Sequence, residues 1–490
     1  MTEKNEYVVA IDLGTSKVAT LVGKKADGGK IEILASAMSD SLSGVVRGEI
    51  KNTEHISKAL NETIQKIESE LGIAIKEAYV GVSGHHIKSS KHSGYIFIEN
   101  NDGEVRERDV QRLNESMNNI QIPVGETIIH ILPQEYTVDE ESGIREPVGM
   151  IGNKLEATFN IVTGDKAAIG RIDKCLSKLN VSVSQHMLNP LAAAEAVLIP
   201  DEKELGVCVV DIGGGTTDVC IVHDNIVRHV AILPLGGNII NKDIRSYGIL
   251  ERRVESLKVK FGGAVGALER ADKFITIPGL NARDPKEISC RNLASIIEAR
   301  MLDIIDCVRF EIKKAGYENR LGAGIVLTGG SAQTRNLDVL FKEHAGYDVR
   351  IAIPETHVTE ESAELVNSPA YSVAVGLLLK AVGAGVAMRV GVSTRPAVTV
   401  KTAPQPVAQP QPKAVTPPVE KTPEEEVEST RSTRRRWNEL ASARREERDT
   451  SFGMDTEDES EDDGDRPKSW WQRAKDRLTS TFEVIDDDIE

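Results

Sequence analysis

The stretch Asp211-Ile212-Gly213-Gly214-Gly215-Thr216-Thr217-Asp218 combines three residue types that together suit phosphate and a hard cation. Three successive glycines admit positive φ and strip away the side chains that would hold a ligand off the backbone. Their N–H groups, with the hydroxyls of Thr216 and Thr217, can converge into an anion-binding nest. Carboxylates at Asp211 and Asp218 sit beside that nest, which makes chemical sense when a divalent cation lies between acid and phosphate. A glycine-rich hairpin turn with capping acids would show the same local pattern. A second copy decides between them: Asp12-Leu13-Gly14-Thr15-Ser16-Lys17. Both copies sit between apolar runs that read as strands (Val207-Cys208-Val209-Val210 before the first, Val18-Ala19-Thr20-Leu21-Val22 after the second). Two phosphate hairpins imply a duplicated domain with a nucleotide held between the halves, where such sites form. A third apolar strand, 324–328, ends in Gly329-Gly330-Ser331-Ala332.

This trio resembles the actin-like ATPase superfamily, whose two phosphate loops and adenosine loop come in this order. The resemblance implies an α/β fold of two lobes, built from duplicated ribonuclease-H-like domains, with Mg-ATP between them. On it, Asp12 and Asp211 would hold Mg²⁺, mostly through water. Gly14, Thr15, Ser16 and Lys17, with Gly213, Gly214, Gly215, Thr216 and Thr217, would cradle the phosphates. Gly329, Gly330 and Ser331 would lie at the adenosine. Glu255 and Lys258 are one helical turn apart; relatives place such a pair against ribose and adenine, while a plain surface ion pair has the same spacing. Asn189-Pro190 opens an alanine-rich run with the form of the superfamily's first connecting helix, Asn suiting an N-cap and Pro the first helical position. Chaperone and MreB relatives carry an acid before that proline, associated with positioning the attacking water. Asn189 cannot act as a base, so no catalytic residue is assigned and hydrolysis is expected to be weak.

Composition narrows the class. A chain of 490 residues accommodates three or four domains of about 100–200 residues. The formal net charge of −16 argues against a nucleic-acid binder. No apolar run approaches the roughly 20 residues of a membrane-spanning helix. The polar N-terminus, leading directly into the first strand, predicts no signal peptide. Five scattered cysteines, 175, 208, 220, 290 and 307, with no CxxC pair fit a reduced cytosolic compartment and not zinc.

Along the chain, Ile56, Leu60, Ile64, Ile67 and Leu71 predict an amphipathic helix over 55–71. The paired His85 and His86 read as loop or junction residues. Between them and residue 159 an inserted α+β subdomain is expected, with a hairpin at 94–99, a helix at 108–118 and a strand around His130-Ile131-Leu132. Core structure is expected to resume with a strand at 158–164 and a helix at 167–179. Ser83-Gly84-His85-His86-Ile87, Pro133-Gln134-Glu135-Tyr136 and Gly143-Ile144-Arg145-Glu146-Pro147-Val148-Gly149-Met150 narrow the resemblance to the FtsA family of bacterial division proteins, over residues 7–379. The expected partition is 1–83 with 160–204 and 205–237 with 315–390 for the two cores, 84–159 for the insertion and 238–314 for a smaller subdomain. Leu235-Gly236-Gly237-Asn238 leads into helices over 238–247 and 251–261, and a long helix is expected over 288–314. The resemblance puts the Ile297-Glu298-Ala299-Arg300 stretch where the C-terminal peptide of FtsZ docks, with Arg300 as the pairing candidate.

Residues 391–465, proline- and alanine-rich, then basic, then acidic, form a composition that buries no core and is expected to be disordered. Beyond, 466–490 reads as an amphipathic helix. Trp471, Leu478 and Phe482 fall on one face, Trp470 adjoins it, and Arg473 and Lys475 supply positive charge, the pattern of an interfacial helix on anionic lipid. A helix docking on a partner protein has a similar pattern. The resemblance therefore implies an ATP-binding protein that polymerises on the cytoplasmic face of the membrane, anchors FtsZ filaments at the septum and meets further division proteins. A soluble chaperone- or reactivase-type ATPase, and a small-molecule kinase of the same superfamily, are the alternatives.

Overall fold

The computed structural model describes residues 7–41, 43–277, 285–383 and 391–392. All belong to the first of two compact units, Met1–Pro396; the second, Ala397–Glu490, lies outside the described residues, and with it the tail residues Trp470, Trp471, Arg473, Lys475, Leu478 and Phe482.

Two five-stranded sheets share one connection pattern. In the first, Val8–Leu13 pairs antiparallel with Lys17–Lys25, which pairs with Ile31–Asp40; on its other side Val8–Leu13 runs parallel to Glu77–Val82, and that strand parallel to Ser182–Leu188. In the second, Val207–Ile212 pairs antiparallel with Thr217–His223, which pairs with Ile226–Leu233; its other neighbour is parallel Ile325–Thr328, followed by Val349–Ile351. The repetition is the duplication foreseen from the two hairpins. The strand Val207–Ile212 is apolar at every position except Asp211 because both faces are covered.

The helices that cover them are built as their periodicity requires. Thr53–Leu71 buries Ile56, Ala59, Leu60, Thr63, Ile64 and Ile67 on one stripe. Asn52 starts it by accepting from the Glu54 and His55 N–H groups at 3.0 and 3.2 Å, and left-handed Gly72 ends it. Two helices connect the halves. Asn189–Val197 is buried at every position, and it crosses Ser372–Val382 so closely that a Cβ on Gly376 would stand 1.8 Å from the Ala192 carbonyl oxygen. Among the described residues no single helix is long and apolar enough to cross a membrane.

The insertion is a sheet of its own, ordered Glu126–Val138, Lys154–Asp165, Lys88–Phe97, with Glu141–Ile144 beside the first. The helix Glu107–Ser116 lies on it, closing a small core of Leu113, Met117, Ile131, Tyr136, Leu155, Phe159 and Ile161. Two expectations are corrected here. Residues 94–97 do not turn; they end the single strand Lys88–Phe97, and Gly94 is there because a Cβ would meet Met117 Cε at 2.2 Å. The strand at 158–164 does not rejoin the first core sheet: it belongs to Lys154–Asp165, paired on both sides within the insertion. Where the disordered linker was expected to begin, Gly391 and Val392 instead pair antiparallel with Ile131 and His130.

Gly376→Val should force the crossing helices apart and cost about 1–3 kcal/mol of unfolding stability. The readout is the urea midpoint, and an unshifted midpoint would mean that the crossing has room to spare.

Candidate functional site

The two hairpin turns close identically: Gly14 N–H donates to the Lys17 carbonyl and Gly213 N–H to the Thr216 carbonyl, each at 2.9 Å. Asp12 and Asp211 occupy the same place in each repeat, near the end of the strand that enters the turn, so duplication alone brings a second acid. Their loops meet tip to tip. A Cβ on Gly214 would stand 2.0 Å from Ser16 Oγ, and one on Gly215 would stand 2.5 Å from Thr15 Oγ1. Gly329, at φ 88°, approaches Asp211 so closely that a Cβ would lie 2.1 Å from Oδ1. Gly330 has nothing within 4 Å of its Cβ position and presents an open face.

A further glycine pair completes the enclosure. Gly237 and Asn238 N–H groups donate to the carbonyls of Gly213 and Gly214 at 2.9 and 2.7 Å, tying the start of the helix Gly237–Ser246 to the loop. Ser331 Oγ donates to the Gly213 carbonyl at 3.0 Å. Lys258 Nζ donates to the Gly237 carbonyl at 3.0 Å and pairs with Glu255 at 2.8 Å. The Glu255–Lys258 pair is therefore not a plain surface bridge: Lys258 is 11% exposed and faces the loops, while Glu255 is 58% exposed.

Electrostatics distinguish this cluster from an ordinary turn. Burial pushes the Asp12 carboxyl up, against Lys17 and the Asn189 hydrogen bond. Burial, reinforced by Asp12, raises Asp211 to about 7, and burial with Asp211 raises Asp218 well above the carboxylate range. Burial lowers Lys17, opposed by Asp12 and Asp211. Asp12 and Asp211 share the Lys17 ammonium, and Asp218 adds a third carboxylate in the same poorly solvated place, an arrangement relieved by a divalent ion. Among the described residues no three acids, histidines or cysteines stand close enough to ligate a metal by themselves. A hydrated ion fits better. Asn189 Oδ1 is buried without a hydrogen-bond partner while its Nδ2 donates to Asp12 at 3.4 Å, leaving an acceptor for such water.

Several expected roles change on placement. Asn189 does not cap its helix; Leu188 holds the cap position, and the Asn189 side chain turns to Asp12. Thr217 is fully buried and donates to the Leu235 carbonyl at 2.8 Å, so its hydroxyl faces away from the phosphate nest. Lys17 donates to the Ala370 carbonyl, held at the foot of the second connecting helix. Arg300 already grips Asp243 with Nε and Nη2 at 2.9 and 3.1 Å and Asp303 at 3.2 Å, which makes it an internal tie. His86 accepts from Asp165 N–H at 3.4 Å, at the root of the insertion as a junction residue should.

Sequence reasoning missed Ser83, whose hydroxyl donates to Asp218 at 3.0 Å, and Asn238, which accepts from Ser16 Oγ at 3.3 Å. The run Leu235-Gly236-Gly237-Asn238 carried a usable signal, being the same glycine-plus-polar composition as the loops it touches. Ser83 carried none, because only the fold sets it against Asp218.

A family model described as "SHS2 domain inserted in FTSA" matches residues 84–163, and one described as "Cell division protein FtsA" matches 208–376. The cell division protein FtsA of Pseudomonas aeruginosa is 34% identical over 378 residues, covering 77% of this chain and 89% of that protein. This chain belongs to the FtsA family. The FtsA of Escherichia coli K12 is 32% identical over 383 residues, covering 76% of this chain and 90% of that one. Among solved structures, the PilM–PilN type IV pilus biogenesis complex matches with a TM-score of 0.56 at 14% identity, covering 76% of this chain and 98% of that one. At that identity the likeness speaks for the fold, which is the two-lobed actin-like one with the FtsA-type insertion.

The raised Asp211 gives a signed pH prediction for this FtsA-family chain without ligand. Its folded value of about 7 stands above the ordinary 3.8, so the native state keeps a proton that the unfolded state releases. That contribution is full below about pH 4 and is lost as pH rises through 7. Asp211→Asn, which cannot ionise, should melt above wild type at pH 8, with the gap closing toward pH 4. Equal melting at both pH values would show that the acid carries no such strain.

Proposed function

We propose that this FtsA-family protein binds Mg-ATP between its lobes, polymerises on the cytoplasmic face of the membrane and tethers FtsZ filaments there as the septum assembles. The observation that carries the nucleotide half is the meeting of two duplicated hairpins. They put Asp12, Asp211 and Lys17 together beside backbone that glycine has cleared. Gly14 and Gly213 close the two turns with their own N–H groups, which leaves the loop N–H groups of Thr15 and Ser16 and of Gly214, Gly215 and Thr216 to bind the phosphates, and Lys17 adds charge. Asp12 and Asp211 hold the water shell of Mg²⁺, whose bound form supplies charge neutralisation for the phosphates. Lys258, Glu255, Gly329, Gly330 and Ser331 form the adenosine side. Asn189 orients water beside Asp12 as an amide and takes no proton from it, so turnover is slow.

The membrane half rests on the sequence of the tail. Four basic residues near anionic lipid, Lys468, Arg473, Lys475 and Arg477, contribute at most about 1 kcal/mol each. Asp476 and the terminal acids subtract from this, so one tail binds reversibly and a filament of many tails binds firmly. FtsZ docks on the subdomain that carries the helix Cys290–Ala315. Arg300 acts there by fixing that helix against Gly237–Ser246.

Two measurements test the two halves. Asp211→Ala should abolish binding of a fluorescent ATP analogue with Mg²⁺, and Lys258→Ala should weaken it about tenfold, the loss of one charged hydrogen bond; unchanged affinity in Asp211→Ala refutes the site. Full-length protein should pellet with anionic liposomes and Mg-ATP, while a chain ending before Trp470 stays in solution. Equal behaviour of the two forms would remove the membrane anchor from the reading.

A further inference from the structure

The second-lobe sheet ends in the strand Ile226–Leu233, which among the described residues pairs on one side only, with Thr217–His223. A free edge of this kind offers unpaired backbone groups and is usually covered. Here the cover comes from the insertion, whose chain roots lie in the first lobe. Gln134 Nε2 donates to the Val227 carbonyl at 2.8 Å, and Asn160 Nδ2 to the Arg228 carbonyl at 3.0 Å. Around these two bonds Arg228 pairs with Glu135 at 3.1 Å and Arg145 with Asp224 at 2.8 Å. Asn160 and the Arg228 side chain are less than a tenth exposed, so the contact is built into the body of the protein.

The local backbone aims these groups. Pairing between Glu126–Val138 and Lys154–Asp165 slips from Tyr136 opposite Ala157 to Pro133 opposite Phe159, so Gln134 and Glu135 share a β-bulge. Bulges redirect side chains and tolerate a proline that lacks an N–H. Two segments that carried the family resemblance, 133–136 and 143–150, thus supply Gln134, Glu135 and Arg145. The insertion is also fixed to the first lobe: Leu188 N–H donates to His130 Nε2 at 3.1 Å. At its root, Ser83 donates to Asp218 beside the second phosphate loop.

We propose that the insertion is a latch between the lobes, holding the edge of the second sheet through Gln134, Asn160 and Glu135, and that it slows the opening through which nucleotide leaves. The latch joins a subdomain rooted in the first lobe to the edge of the second sheet, so movement of the second sheet away from the insertion must break its bonds. Its grip and the nucleotide's grip then reinforce each other, as linkage requires. This rests on the Mg-ATP reading of the cleft.

The test uses the full chain and stopped-flow release of a fluorescent ATP analogue with Mg²⁺. Gln134→Glu keeps the shape, loses the donor and sets a carboxylate against the Val227 carbonyl. Glu135→Arg, at a half-exposed position that tolerates substitution, turns the Arg228 pair into a repulsion. Each variant should release the analogue about 5- to 30-fold faster than wild type while melting within a few degrees of it. Folded variants with wild-type release rates overturn the latch. Hydrogen exchange without nucleotide gives a second, independent readout. Amides of residues 226–233 should exchange faster in Glu135→Arg, and unchanged protection there also overturns it. A wild-type chain that fails to bind the analogue sinks the Mg-ATP reading, whereas the exchange result still decides the latch.

Discussion

Everything in this protein turns on keeping like charges together where water is scarce. Asp12, Asp211 and Asp218 converge, with Lys17 as a counter-charge to Asp12 and Asp211, and burial holds the acids toward their protonated forms. No local preference would gather three carboxylates in this way. The sheets on either side enforce it, since each acid sits at a fixed register in a strand paired on both sides. Stability is given up locally, and a cation with phosphate is the chemistry that would restore it.

Glycine makes the convergence sterically feasible. At Gly214, Gly215 and Gly329 a single added carbon would collide with the opposing loop or with Asp211 itself. At Gly376 the same demand arises far from the loops, where the two connecting helices cross. Both are backbone approaches that a Cβ would block. Lys17 links the first hairpin to the second connecting helix, because its ammonium reaches the Ala370 carbonyl just before the helix Ser372–Val382 begins.

The insertion adds a second constraint. It has a small core of its own around Phe159 and Leu113, and it also covers the free edge of the second-lobe sheet while rooted in the first. A subdomain so placed is neither an appendage nor part of either repeated sheet. Arg300 illustrates how the same fold redirects a side chain that looks available from sequence: its planar fork is taken up by Asp243.

The sequence by itself determined the duplicated hairpins, the acids at Asp12 and Asp211 and the glycine-rich third loop, because those features are local and periodic. Helix 55–71 was legible for the same reason. Contacts that depend on distant segments were decided only by the tertiary structure. The strand at 158–164 and the glycine at 94 were misplaced because strand period says nothing of which sheet a strand joins, nor whether a glycine serves a turn or a close contact. Thr217 reads as a phosphate ligand until strand alternation turns its hydroxyl inward to Leu235. Ser83 against Asp218 and Gln134 against Val227 join residues 135 and 93 positions apart, and no spacing rule reaches that far. Side-chain type can be read along the chain; the neighbour that gives it a role is set by how the sheets pack.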